Sequence, residues 1–225
     1  MTGVPTGEMS EKNLEVLLTI FLPDGDWKTQ GRFYYDPENR RKFYKVDCYS
    51  EKLTAVWEYE GPEHYCDVWK VRRDEERKVY LESNGYRFFR WPYYAQLTKD
   101  VAKHFFADAY SDKKYQQAIN MIYGATDQSS VLAPGLHTSK NTPANFVGTG
   151  VRRFFSELNT LPKSIKAQVA ESLRRYIADI GDPYLIIGEQ EEFKHLLETS
   201  INNDELKVFF HRDPVNPPTR LTQTP

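Results

Sequence analysis

The sequence predicts a mixed α/β (α+β) fold, in which a mixed sheet core is flanked by helices and followed by a small, mainly helical C-terminal domain. Three observations predict it: a helical hydrophobic period at the start, three strand-like runs behind it, and an alternation of helix and strand that then gives way to helices. Ser10 precedes Glu11 in the manner of a helix cap, and Leu14, Leu17, Leu18 and Phe21 recur at helical spacing until Pro23-Asp24-Gly25 breaks the pattern. Segments 32–36, 43–49 and 53–59 are rich in aromatic and β-branched residues, and the turn-like stretches 36–39 and 50–52 separate them into an antiparallel meander. A helical polarity runs from Asp67 to Ser83, Asn84-Gly85 ends it, and Tyr86 to Trp91 returns as a strand. Leu97 to Tyr123 reads as helix, with a break near residues 110–112.

Residues 124–150 change character, because Gly, Ser, Thr and Pro interrupt any period, and they read as a linker. Beyond it, Val151 to Leu158 and Pro162 to Ile180 carry helical patterns, the second with Ile165, Val169, Leu173, Tyr176, Ile177 and Ile180 on one side. Residues 184–187, 191–199 and 208–210 are expected to form a short strand, a helix and a last short strand. The expected division is a main domain over 1–123, a linker over 124–150, a C-terminal domain over 151–213 and a disordered Pro- and Thr-rich tail over 214–225.

Composition narrows the functional classes. Of 225 residues, 40% are hydrophobic and 28% charged, the balance of a globular chain able to bury a core. No apolar run approaches bilayer length, so no membrane partner is expected. Met1 to Ser10 shows neither a basic leader nor an apolar core, and a cytoplasmic location is expected. Cys48 and Cys66 lack neighbours at zinc-binding spacing and read as structural thiols. A net charge of -2 argues against a protein that coats polyanions, yet leaves room for a local phosphate-binding surface.

The stretches Val46-Asp47-Cys48 and Glu58-Tyr59-Glu60-Gly61 carry the chemistry. In extended chains Glu58 and Glu60 share one face and Trp57 and Tyr59 the other, and Lys45 shares a face with Asp47. Carboxylates converging from adjacent strands suit a hard cation such as Mg2+ (or Mn2+) held against a phosphodiester. Asp67, Lys70, Asp74 and Arg77 form one stripe of a helix, of which Asp67 and Lys70 read as a solvated face. Phe89 and Trp91 read as core. Lys163, Lys166 and Arg174 fall on one helix face and could lie along phosphates.

Taken in order, these motifs resemble the very-short-patch-repair endonuclease-like branch of the restriction-endonuclease superfamily. The resemblance spans roughly residues 8–105: Glu11-x-x-Leu14 on the first helix, Val46-Asp47, Glu58-Tyr59-Glu60-Gly61, His64 three residues past the glycine, Arg73-Asp74-Glu75-Glu76-Arg77, and Gly85-Tyr86-Arg87 opening the last strand. It implies a restriction-endonuclease-like core and a metal-dependent nuclease acting on DNA, in a restriction, repair or defence context. The alternatives are a catalytically inactive nucleic-acid-binding module of the same fold, or a protein-binding regulatory effector. Asp47, Glu58 and Glu60, with Glu11 from the first helix, would hold the metal. Glu60 stands where the superfamily has lysine, so Lys45 or His64 would supply the missing positive charge. His64 would act as general acid or base, Asp74 would orient it or a water, and Arg77 and Arg73 would touch phosphate. The C-terminal domain is the expected site of any homodimer or protein contact.

Overall fold

The computed structural model describes residues 9–124, 136 and 146–180, the last eight of them as backbone alone. Helix α1 spans Glu11–Phe21, the segment that the apolar period marks, and buries Leu14, Leu17, Leu18 and Phe21. Ser10 precedes it without capping it, since its hydroxyl turns to the Asn13 side chain. Strands β1 (Lys28–Tyr34), β2 (Phe43–Ser50) and β3 (Ala55–Glu60) run antiparallel in sequence order. A short helix α2 (Glu63–Cys66) and the long α3 (Val68–Ser83) then carry the chain to β4 (Arg87–Pro92), which lies parallel to β3 at the sheet edge. β1 begins earlier than its composition suggests because polar Lys28 and Thr29 pair through their backbone with Tyr49 and Cys48.

The α3 N-terminus is capped by Asp67, which accepts from the Trp69 and Lys70 amides at 2.7 and 3.3 Å. Gly85, at φ 84°, turns the chain out of its other end, a conformation that side chains disfavour. The sheet has an α3 face, where Val46, Val56 and Leu81 pack with Phe33 and Phe88. The main core gathers α1, Trp57, Trp91 and the helices α4 (Lys99–Phe106) and α5 (Asp112–Tyr123). The expected break in the 97–123 helix lies slightly earlier, where Ala107 adopts φ 39° and Ser111 caps α5 through the Lys114 amide at 3.3 Å. Cys48 and Cys66 are both free thiols, and Trp91 is buried. Among the described residues no helix is long and apolar enough to cross a membrane.

Helices α6 (Gly148–Thr160) and α7 (Lys163–Ile180) form where expected, but the division at 123/151 does not describe the core. Val151, Phe154, Phe155, Leu158, Ile165 and Val169 belong to the same apolar cluster as α1, Trp57 and α5. The Val147 amide bonds the Tyr65 carbonyl at 3.0 Å. Gly150 passes so close to that carbonyl that a Cβ would sit 1.8 Å from the oxygen, leaving room for glycine alone. The expected strands at 184–187 and 208–210, the helix at 191–199, the tail from 214 and most of 124–150 lie outside the described residues.

Candidate active site

The sheet splits at the candidate site. β2 pairs with β3 over Cys48–Trp57, Tyr49–Val56 and Ser50–Ala55, and then the strands part. The β1–β2 ladder also skips the opposed pair Gln30 and Asp47, and Gln30 takes φ 55°. Asp47 therefore leaves the regular alternation. Its carboxylate accepts the Tyr59 amide at 2.8 Å, bridging the gap where a strand-to-strand backbone bond would fall. Glu11 stands nearby on the first turn of α1, exposed, and accepts from the Gln30 side chain at 3.1 Å. Burial raises the Asp47 acid; the Tyr59 amide opposes that shift and the Glu11 charge adds to it.

Glu58 is 3% exposed, and the face it shares with Glu60 is the one opposite Trp57. Its Oε2 lies 3.2 Å from an Arg77 guanidinium nitrogen, while Oε1 is buried without a hydrogen-bond partner. Burial drives its acid well above the ordinary carboxyl range; Arg77 opposes this, and the charges of Asp47, Glu60 and Asp74 reinforce it. Asp47 is thus a part-buried acid and Glu58 a buried one, both raised above their ordinary range although Arg77 opposes the shift in each.

Glu60 differs sharply from Glu58. Fully buried, it lies 2.7 Å from Arg153, 2.9 Å from His64 Nδ1 and 3.2 Å from Arg90. Burial disfavours its charge, yet the His64 contact, Arg153 and Arg90 together hold the carboxyl below its usual range. His64 Nδ1 also meets Asp74 at 2.6 Å, and Asp74 in turn pairs with Arg153 at 2.8 Å and Arg77 at 3.1 Å. Burial lowers the imidazole, but its bonds to Asp74 and Glu60 prevail and raise it to about 10. Glu157, four residues after Arg153, receives its Nε at 2.8 Å and the Tyr65 hydroxyl at 2.5 Å. The result is a lattice of carboxylates, one imidazole and three arginines, fastened by α6.

Two expectations change. The bonds to Asp74 and Glu60 favour the protonated form of His64, which suits the acid half of its expected acid–base role better than the base half. The Lys45 side chain is exposed, and what Lys45 gives the site is its carbonyl, 3.3 Å from Arg77. Arg77 is therefore the cation beside the Asp47 and Glu58 pair. Among the described residues, Glu60, His64 and Asp74 are the group of three ligand atoms lying within 4.8 Å of one another. Their charge is already met by Arg153, Arg90 and Arg77, whereas burial holds the Asp47 and Glu58 acids above their ordinary range. Arg73 is exposed on α3.

Of the expected phosphate-contacting stripe, Lys163 is exposed, but Lys166 is 3% exposed and turned toward Asn159 at 3.4 Å, so it cannot lie along a phosphate. The Arg174 side chain lies outside the described residues. Arg90, Arg153 and Glu157 were missed. Arg153 had a signal: a charged residue on the apolar stripe of Val151, Phe154, Phe155 and Leu158, with a carboxylate four positions on. Arg90 had one only in the parallel register that sets it beside Glu58. Comparisons with protein families, curated proteins and solved structures found no match to this chain.

The imidazolium predicts a pH dependence. A folded-state pKa near 10 against an ordinary 6.5 contributes stability that is complete below 6.5 and lost as pH rises through about 10. Unfolding free energy should fall by at least about 1 kcal/mol between pH 7 and 9.5. The His64→Gln protein should lack that component in paired urea titrations, and identical slopes in the two proteins would show His64 to be neutral.

Proposed function

We propose that the chain is a metal-dependent nuclease that hydrolyses phosphodiester bonds of DNA, with the very-short-patch-repair-like, restriction-endonuclease-like core that its motifs resemble. One observation carries this reading: at the split between β2 and β3 part-buried Asp47 and buried Glu58 both have raised pKa values, the Asp47 charge adding to the Glu58 shift, and Glu58 keeps a buried oxygen without a hydrogen-bond partner. Such a donor set fits Mg2+ or Mn2+, whose charge would offset the repulsion. When bound, the metal would polarise a phosphate and ease deprotonation of the attacking water.

The chain's own residues do the rest. Arg77 anchors Glu58 and stands ready to meet the charge that builds on the phosphate, the task of the lysine that Glu60 replaces. His64, held by Asp74 and Glu60, presents Nε2 as a proton donor for the leaving oxygen. The compensated lattice around Glu60 favours a second reading, a nucleic-acid-binding module without cleavage, because that carboxylate has cations enough without a metal. The two readings part on metal binding. Millimolar Mn2+ should raise the melting temperature of the wild-type protein by several degrees and leave Asp47→Asn unmoved, since a ligand that binds only the native state stabilises it. Equal shifts, or none, would remove the metal site.

A further inference from the structure

A second surface, outside the carboxylate site, has the chemistry of an unpaired nucleic-acid strand. In the β1–β2 hairpin, Arg32 stands directly opposite Lys45 and Tyr34 opposite Phe43, and opposed residues of antiparallel strands share a face. This face is turned away from α3, whose Tyr80 and Leu81 pack with Phe33 and Val46 on the other side. Its Tyr34 is 45% exposed, Arg32 and Lys45 are exposed, and the Tyr34 and Phe43 rings lie 5.8 Å apart. Arg32 rests its guanidinium 4.8 Å from the Phe43 ring centre, and neither Arg32 nor Lys45 pairs with a carboxylate among the described residues. The hairpin tip adds exposed Arg40 and Arg41, while the acidic Asp36 is already matched by Lys42 at 2.8 Å. From Lys45 the same strand runs on to Asp47, two residues or about 6.7 Å away.

We propose that this face docks an unpaired nucleic-acid strand, its bases stacked on Tyr34 and Phe43 and its phosphates on Arg32 and Lys45, leading to the Asp47 and Glu58 carboxylates. The charge complementarity selects the occupant. A second copy of the chain would bring the same unpaired cations against these, and an apolar peptide would leave them desolvated; a strand of nucleotides offers flat rings and anions in one ligand. A closed duplex hides its ring faces, so the strand must be unpaired where it lies on the tyrosine. The proposal deepens the nuclease reading, because it names the form of substrate, and it rests on that reading for the path to Asp47.

Binding measured without divalent ions tests it separately from cleavage. Fluorescence anisotropy of the full chain with labelled dT15, rU15 and a 15-base-pair duplex should show dT15 or rU15 bound more tightly than duplex. Tyr34→Ala should weaken single-strand binding about tenfold and Tyr34→Phe should restore it, as expected of stacking. Arg32→Gln with Lys45→Gln should flatten the salt dependence by about 1.4 in log–log slope. Urea titration of each variant confirms folding. Wild-type affinity in Tyr34→Ala, or an equal loss on duplex, overturns the proposal. So does tighter binding of a poly-glutamate peptide than of dT15, which would assign the face to an acidic protein. If dT15 binds as expected while plasmid is never cut, the docking face stands and the nuclease reading falls.

Discussion

Replacing Arg153 with methionine should destabilise the protein by about 3–5 kcal/mol, the usual consequence of removing one partner from a buried ion pair. The side chain is 5% exposed and touches Glu60 at 2.7 Å, Asp74 at 2.8 Å and Glu157 at 2.8 Å. Its loss leaves three carboxylates in low-dielectric surroundings with Arg90, Arg77 and His64 alone to oppose them. Methionine keeps much of the volume, so the effect reports charge more than packing. Arg153→Lys should recover only part, since one ammonium cannot meet three carboxylates in a planar fork. Urea unfolding measures both, and a loss under about 1 kcal/mol for Arg153→Met would show that α6 docks through Phe154, Phe155 and Leu158 alone.

The second large effect separates function from stability. Glu58→Gln should lower cleavage at least about a hundredfold, a share of the several kcal/mol that a metal ligand supports. In chelator the same variant should be more stable than wild type at pH 7 by about 1 kcal/mol. The sign follows from the raised acid: the folded state binds the Glu58 proton more tightly than the unfolded state does, so stability falls as pH rises from 4.5 toward the folded pKa. Glutamine carries no such charge. Gains in stability with losses in activity mark a site built for an external cation, and a Glu58→Gln protein that is less stable without metal would show that Arg77 compensates Glu58 fully.

Much of this organisation was legible in local sequence pattern, and the remainder depended on tertiary placement. Helix α1 matched its apolar period because Leu14, Leu17, Leu18 and Phe21 are all buried against one core. The order of strands and α3 followed from turn residues and from the change of period. The pairing of His64 with Asp74 is a ten-residue relation between adjoining helices, and it was the ordered motifs of the resemblance, not spacing, that suggested it. Arg153 lies 79 residues from Asp74, and nothing local states that α6 returns to that carboxylate. The mobility of role between Glu58 and Glu60 was equally hidden. Both alternate onto one face, yet Arg153, His64 and Arg90 neutralise only Glu60, and that difference comes from elements far along the chain. Lys166 shows the converse error, for a basic helix stripe looks solvated until a packed α6 covers it.

The most direct test of the central claim is conversion of supercoiled plasmid by the purified chain in Mg2+ or Mn2+, beside a folded Asp47→Asn protein and a chelator control. Nicked or linear product that forms only with metal and only with Asp47 intact is the predicted result. No conversion in either metal, or equal conversion by Asp47→Asn, would contradict it.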